Sequence, residues 1–274
     1  MKVMDQNGWL QIHSYLQPLA SLQAQVNAEI DQIPIASPAI PEWNGYADDF
    51  HAAVPLLHSP KASIDLEPVE TYIASLVEKL AESSLPHSFV EDSKTLSSEL
   101  CRVPDAHCAA VAWLLYSAPF ETAVPGFLRY IGWKTLSLYL APVVQAFGKW
   151  RDEERWLQSY CPTCGSLPGM AQLIGKDPGR RRLLACGCCG TRWWYKRTGC
   201  PFCESQNNDQ LSVLTIEGEA PLRIDHCESC SGYLKTYDGE GQESVLLADW
   251  TSIHLDIIAQ DRGLKRLATS LYHL

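Results

Sequence analysis

The sequence predicts a multi-domain α+β protein, in which an all-α helical N-terminal domain is followed by two tandem small β-rich metal modules of the zinc-ribbon type and a C-terminal helix. Three observations support this prediction. Apolar residues recur at helical intervals over about the first 155 residues, short β-rich runs begin near Tyr160, and cysteine pairs bracket those runs. The expected domains are residues 1–158, 159–198, 199–240 and 241–274.

The helices are predicted from apolar residues spaced three and four positions apart. They cover residues 9–30, 68–82, 105–117, 120–150 and 249–262. A proline-rich stretch closed by Gly45 predicts the loop between the first two helices. Pro68 suits the first turn of its helix, Asp105 beside Pro104 is a candidate N-cap, and Gly263 is placed to end the last helix.

Residues 124–147 are apolar enough to be compared with a membrane span. Arg129 and Lys134 lie in the middle of this stretch, which also contains two prolines and two glycines. A spanning helix needs about 20 nearly uncharged residues. The stretch is therefore predicted to be a buried bundle helix or a broken pair of helices.

The composition is that of a folded protein. The chain has 274 residues, a formal net charge of −10, 46% hydrophobic and 20% charged residues. An acidic total argues against a general nucleic-acid binder. Polar residues interrupt the apolar residues at the start of the chain, so no secretion signal is expected, and the 11 cysteines are expected to stay reduced or metal-bound in the cytoplasm.

Nine of the cysteines fall between residues 161 and 230, and eight of them form C-x-x-C pairs. The pairs are Cys161 and Cys164, Cys186 and Cys189, Cys200 and Cys203, and Cys227 and Cys230. CPTC opens one unit and CPFC opens a second unit 39 residues later. In each unit two strand-like runs precede the closing pair and an aromatic run follows it. We interpret the pattern as a twofold repeat.

The spacing favours metal binding, because two intervening residues let both sulfurs of a tight turn reach one ion. Two such turns complete a tetrahedral site of four sulfurs, which suits zinc and iron alike. Gly165 and Gly190 can adopt the left-handed conformation that ends the turn. Redox or structural disulfides and simple buried thiols are the alternatives. Units of about 40 residues bury too little surface to fold alone, so the ion is expected to supply folding free energy.

Three cysteines remain outside the pairs. Cys188 lies between Cys186 and Cys189. It is either a non-ligand thiol or an accessory thiol, which acts as an exchange partner or as an alternative ligand. Cys101 and Cys108 lie on helical patterns and are predicted to be core thiols. His226 is expected to be a strand residue, and the other seven histidines show no metal-binding spacing.

Charge differs between the two units. Residues 161–199 hold seven basic residues and one acidic residue, whereas residues 200–240 hold two basic and eight acidic residues. The candidate partner surface consists of Arg180, Arg181, Arg182, Arg192, Trp193 and Trp194. Alternatively, these arginines balance the charge of their own metal site and are solvated.

The residues between the pairs resemble a known family. CPTCGSLPGM, CGCCGTRWWYKRTGCPFCES, HCESCSGYLKTYD and LDIIAQDRG look like the FdhE family of formate dehydrogenase accessory proteins. The resemblance implies two rubredoxin-like modules, with the four cysteines of each unit as ligands, and it favours iron. It also implies a cytoplasmic, non-enzymatic factor for maturation of respiratory formate dehydrogenase that binds the catalytic subunit before export. The extra Cys188 departs from the family pattern.

The sequence contains no P-loop, G-x-S-x-G, Rossmann or H-E-x-x-H motif, which agrees with a protein that is not an enzyme. Two other functions stay open. An iron site with four sulfur ligands can carry one electron, so the protein can be a redox donor to a client cofactor site. A zinc-ribbon nucleic-acid module is the weaker alternative, supported by the arginines and tryptophans of the first unit.

Overall fold

The structure is a computed structural model that describes residues 5–102, 105–176 and 179–272. The helices in this part of the chain are α1 (Gln6–Ile12), α2 (Gln17–Ile30), α3 (Trp43–His51), α4 (Glu67–Ala81), α5 (His87–Leu100), α6 (Ala106–Tyr116), α7 (Pro125–Trp150), α8 (Glu243–Leu246) and α9 (Ile253–Asp261). An N-terminal helical region, a mixed sheet and a C-terminal helix are therefore present, which confirms the predicted fold class.

The predicted helix over residues 9–30 is interrupted. The α-helix ends at Ile12, and His13 has φ −111° and ψ 59°, which leaves the helical region. A single 3₁₀ turn follows, and α2 begins at Gln17 with Pro18 in its first turn, where a proline needs no backbone partner. The break lets α1 pack away from the bundle.

Local predictions in the helical region were confirmed only in part. Gly45 does not close the first loop, because it lies within α3. Helix α5 was not predicted, because its sequence is mostly polar. Asp105 lies at the N-cap position of α6, as predicted, but its φ is 65° and its side chain makes no capping hydrogen bond. Its neighbour Pro104 lies outside the described residues, as do Asp177 and Pro178 in the first unit and residues 1–4 and 273–274 at the ends.

The apolar stretch near residues 124–147 forms one continuous buried helix, α7, which passes through Pro142. Tyr139, Leu140 and Val143 are at most 2% exposed, so this helix is the centre of the bundle. Among the described residues, no helix is long and apolar enough to cross a membrane.

The two cysteine units form a single six-stranded sheet. Its strands are β1 (Pro168–Ile174), β2 (Arg181–Cys186), β3 (Arg192–Tyr195), β4 (Leu211–Thr215), β5 (Leu222–Cys227) and β6 (Tyr233–Asp238). All six were predicted as the three runs of each repeat. The order is β3-β2-β1-β6-β5-β4, antiparallel within each unit, and β1 and β6 pair in parallel across the units.

The packing divides differently from the sequence units. The bundle and the first cysteine unit share one apolar core, which includes Phe147, Trp156 and Cys161. A second core joins α1 to β5, β6, α8 and α9. The limits at residues 158, 198 and 240 remain predictions, and apolar packing crosses the first of them.

Candidate metal centres

The eight paired cysteines meet in two groups of four. The first four-cysteine site consists of Cys161, Cys164, Cys186 and Cys189, and the second four-cysteine site consists of Cys200, Cys203, Cys227 and Cys230. Within each site all four sulfur atoms lie within 4.8 Å of one another. This grouping is the one that the repeat predicted. Both groups can bind metal ions.

Each C-x-x-C pair lies on the same kind of tight turn. In all four turns the N–H of the first cysteine donates to the carbonyl oxygen five residues later, at 2.9 Å. In three of them the N–H two residues after a cysteine also points at its sulfur, at 3.4 Å. Such N–H groups stabilise a thiolate and orient it toward an ion.

The sulfur spacing fits a tetrahedral ion. Bonds of about 2.3 Å to zinc place two sulfurs about 3.8 Å apart at the tetrahedral angle. In the second site Cys200 and Cys230 are 3.7 Å apart, and Cys203 and Cys227 are 3.8 Å apart. The matching distances in the first site are 3.5 and 3.4 Å, so its sulfurs would separate by a few tenths of an ångström around an ion.

The first four-cysteine site lies inside the protein. Its four cysteines are buried, and the loop before α4 covers the first turn. The N–H groups of Leu56 and Leu57 donate to the carbonyl oxygens of Pro162 and Thr163, both at 2.8 Å. Inside the site the hydroxyl groups of Thr163 and Thr191 are 2.7 Å apart and link its two turns. The helical bundle is therefore part of the wall of this site.

The second four-cysteine site is open on one side. Cys203 is exposed and Cys230 is partly buried, whereas Cys200 and Cys227 are buried. Its turns also end differently. Gly165 and Gly190 have φ of 76° and 73° in the first site, as predicted, but Glu204 and Ser231 occupy the corresponding positions with φ of 58°. A residue with a Cβ is strained in this region, so the second site carries a cost that the first avoids.

In both sites the pKa values of the thiols depart from their ordinary value. Burial raises the pKa of Cys161 well above its ordinary value, whereas hydrogen bonds with neighbouring thiols hold the pKa of Cys164 well below it. In the second site burial raises the pKa of Cys200 to about 12, and the N–H of Ser205 lowers the pKa of Cys203. Metal binding by these thiols is coupled to the release of the protons that they carry.

The three unpaired cysteines are placed differently from one another. Cys188 is fully buried beside the first site, where the interaction of its thiol with Cys164 raises the pKa of Cys188 well above its ordinary value. Cys188 is thus a buried cysteine beside the ligands, and its role as an accessory thiol stays a prediction. The prediction for Cys101 and Cys108 was wrong, because both are exposed at the surface of the helical region.

The candidate partner surface is largely engaged within the protein. Arg182 and Trp193 are buried; Arg182 donates to the carbonyl oxygens of Lys196 and Gly199. Arg180 pairs with Asp238, and Arg192 donates to Gln172.

Arg181 and Trp194 remain at the surface. The Arg181 guanidinium stacks 3.7 Å from the Trp194 ring centroid, and its side chain is 52% exposed. Only these two of the six residues lie together as an accessible pair.

Sequence reasoning missed two polar clusters near the second core. Lys235, Asp249, Asp256 and Arg266 form a buried charge network, in which Lys235 is 1% exposed. His13, Glu219 and His254 form a third group able to hold a metal ion. No sequence spacing could indicate either cluster, because their members come from distant segments.

Comparison with known proteins agrees with this architecture. The chain is 35% identical over 130 residues to a protein FdhE homolog of Aquifex aeolicus, and the alignment covers 46% of each of the two proteins. It is 34% identical over 161 residues to a protein FdhE homolog of Cronobacter sakazakii, covering 57% of this chain and 51% of the relative. These alignments span about half the length of the curated relatives. No family model matches the chain.

A solved structure extends the likeness to almost the whole chain. The crystal structure of the FdhE protein from Pseudomonas aeruginosa superposes with a TM-score of 0.64 and 21% identity, covering 96% of this chain and 92% of the other. At that identity the match establishes the shared fold. Together with the curated relatives, it confirms the resemblance that the cysteine motifs predicted.

Proposed function

We propose that this chain, a relative of the FdhE proteins, is a non-enzymatic accessory factor for the maturation of respiratory formate dehydrogenase. It acts in the cytoplasm and binds the catalytic subunit of that enzyme before export. The eight paired cysteines hold one metal ion in each site, iron or zinc. The relationship to FdhE proteins supports this proposal, together with the metal-binding residues that the chain has at each of the eight positions.

The geometry of the four-cysteine sites is the reason for proposing that the chain is not an enzyme. A tetrahedral ion with four sulfur ligands has no free position for a substrate or a reactive water, in contrast to catalytic zinc sites, which keep one open. The ions would therefore fold and hold the modules. They would also supply negative charge, since four thiolates and one divalent ion sum to −2.

A redox role is the second candidate, and the second four-cysteine site favours it. An iron ion with four sulfur ligands exchanges one electron, and exchange with a partner requires that the site approach the surface. Cys203 is exposed and Cys230 is partly buried, so this site is reachable, whereas the first site is not. Zinc in both sites would eliminate this candidate.

Nucleic-acid binding has lost most of its support. Its basic and aromatic residues were those of the first unit, and Arg182 and Trp193 are buried while Arg180 and Arg192 bind within the protein. Of the six candidate residues, only Arg181 and Trp194 lie together at the surface, and this pair is too small for the electrostatic surface that phosphate binding needs.

Co-purification tests the proposed function. Tagged chain is expressed with the formate dehydrogenase catalytic subunit, and the recovered subunit is quantified. We expect recovery with the wild-type chain and with Cys101→Ser, which changes an exposed cysteine outside both sites. Cys203→Ser tests whether the open site contributes to binding. Failure of the wild-type chain to recover the subunit would contradict the proposal.

A further inference from the structure

We propose that His13, Glu219 and His254 form a third metal site, distinct from both four-cysteine sites, that binds a divalent first-row transition-metal ion through two imidazoles and one carboxylate. His13 follows α1, Glu219 lies in the turn between β4 and β5, and His254 lies at the start of α9. The site does not depend on the proposed accessory function.

The distances suit a single ion. His13 Nε2 is 3.1 Å from both carboxylate oxygens of Glu219, and His254 Nε2 is 2.8 Å from Glu219 Oε2. Adjacent ligands at about 2.1 Å from an ion and at right angles to each other are separated by about 3.0 Å. The two imidazole rings are 5.3 Å apart between centroids, which leaves room for both nitrogens to bind one ion.

The hydrogen bond of His13 prepares its ring for metal binding. Nδ1 lies 3.2 Å from the carbonyl oxygen of Trp9, which can only accept, so Nδ1 carries the proton. With the Nδ1 proton directed at this carbonyl oxygen, Nε2 is the ring nitrogen that faces Glu219 and can bind an ion. Two acceptors that face each other at 3.1 Å require a cation between them, either a proton or a metal ion. Metal-binding histidines commonly have this backbone partner on the other nitrogen.

His254 contributes the second observation. Both of its ring nitrogens are inaccessible to solvent and lack a hydrogen-bond partner of acceptable geometry among the described residues. Nε2 is nevertheless close to Glu219 Oε2, so the carboxylate approaches it off the hydrogen-bonding direction. Nε2 of His254 is therefore buried without a hydrogen-bond partner, and an ion beside Glu219 would supply the missing partner.

The chemistry of the three groups defines the ligand. Imidazole and carboxylate together suit zinc, iron, nickel and copper better than calcium or magnesium, which prefer oxygen ligands. Three protein ligands leave at least one position open. Tyr15, whose ring packs edge-on against both histidines, is 56% exposed. The ion would link three segments that pack together at the second core: the end of α1, the turn between β4 and β5, and the start of α9.

Metal titration of the intact chain tests the site. Protein with both four-cysteine sites filled is titrated with Zn²⁺ by calorimetry, and bound zinc is counted by mass spectrometry. Wild type is expected to take up a third equivalent. Glu219→Gln and His254→Ala are expected to weaken this third equivalent by more than roughly tenfold. His87→Asn changes an exposed histidine on α5 and is expected to retain it.

Two further readouts keep the proposal falsifiable if a variant folds poorly. In wild type, Co²⁺ at the third site is expected to add no thiolate charge-transfer absorption, and Zn²⁺ is expected to slow amide exchange in α1 and α9. Absence of a third equivalent in wild type would overturn the proposal and leave a protonated His13–Glu219 ion pair. A third equivalent lost equally in His87→Asn, or retained in folded Glu219→Gln, would overturn it as well.

Discussion

The first and second four-cysteine sites derive from one repeated motif but occupy opposite environments. The first belongs to the core of the helical bundle, its turns end in glycine, and loop N–H groups cover it. The second has one exposed cysteine and one partly buried cysteine, and its turns end in Glu204 and Ser231.

Ligand spacing therefore specifies a metal site without specifying its role. A buried ion holds neighbouring elements together, and its loss exposes the core that it supports. An ion near the surface stabilises its own turns and stays accessible to a partner, a reductant or a chelator. The two copies can therefore divide structural and exchange roles between them.

The largest expected effect comes from removing equivalent ligands, Cys164→Ser in the first site and Cys203→Ser in the second. Structural zinc contributes roughly 10–16 kcal/mol in small peptides, comparable to the whole stability of a domain. Cys164→Ser is therefore expected to abolish cooperative unfolding of the bundle, since that site is part of its core. Cys203→Ser is expected to change the bundle transition by less than about 1 kcal/mol.

Urea unfolding followed by far-ultraviolet circular dichroism measures the stability of the bundle in both variants, with Cys101→Ser as the control. Equal loss of helical structure in the two ligand variants would contradict the difference between the sites.

The second-largest loss of stability is expected from a change in the buried charge network near the second core. Asp256 accepts from the Tyr233 hydroxyl and the Lys235 ammonium, each at 2.7 Å. Asp256→Asn leaves two buried cations facing Asp249 alone, and breaking such a pair costs about 3–5 kcal/mol. The second core is expected to lose stability in urea and the second site to lose metal faster, while the first site is unchanged. Asp261→Asn, an exposed change at the end of α9, is the control; a similar loss there would refute the explanation.

The sequence was most informative where chemistry depends on local spacing. The C-x-x-C pairs, the two-unit repeat and all six strands were predictable because each signal lies within about 40 residues. The left-handed Gly165 and Gly190 were predictable for the same reason.

Features that depend on distant segments were not predictable. The parallel pairing of β1 with β6 joins the two repeats into one sheet, and the burial of Arg182 and Trp193 depends on what packs over them. The exposure of Cys101 and Cys108 depends on which face of the helical region packs into the bundle. His13 and His254 meet only through the fold.

A smaller effect is expected from Cys188 beside the first site. Cys188→Ala removes a thiol that interacts with Cys164, and a buried hydrogen bond of this kind contributes about 1 kcal/mol. In iron-loaded protein the reduction potential of the first site is also expected to fall, because hydrogen bonds to sulfur stabilise the reduced form. Cys188→Ser keeps a donor and is expected to stay near wild type. Equal potentials in all three proteins, measured by spectroelectrochemistry, would exclude this role.

The smallest effect is a gain of stability in the second site. Ser231 has φ of 58°, which costs a residue with a Cβ roughly 1–2 kcal/mol relative to glycine. Ser231→Gly is expected to raise the stability of the second site by about 1 kcal/mol and to slow its metal loss. Ser229→Gly, two positions earlier, lacks positive φ and serves as the control. A destabilised Ser231→Gly protein in thermal unfolding would contradict the strain argument.

Chelator-driven metal release from the Co²⁺-substituted protein tests whether the two four-cysteine sites differ in accessibility. The thiolate-to-cobalt absorption reports only the two four-cysteine sites, so a third site does not contribute. We predict two cysteine-bound equivalents that leave in two phases, with the fast phase absent in Cys203→Ser and the slow phase accompanied by loss of bundle structure. Fewer than two thiolate-bound equivalents, or a single phase in which both ions leave together, would contradict the account.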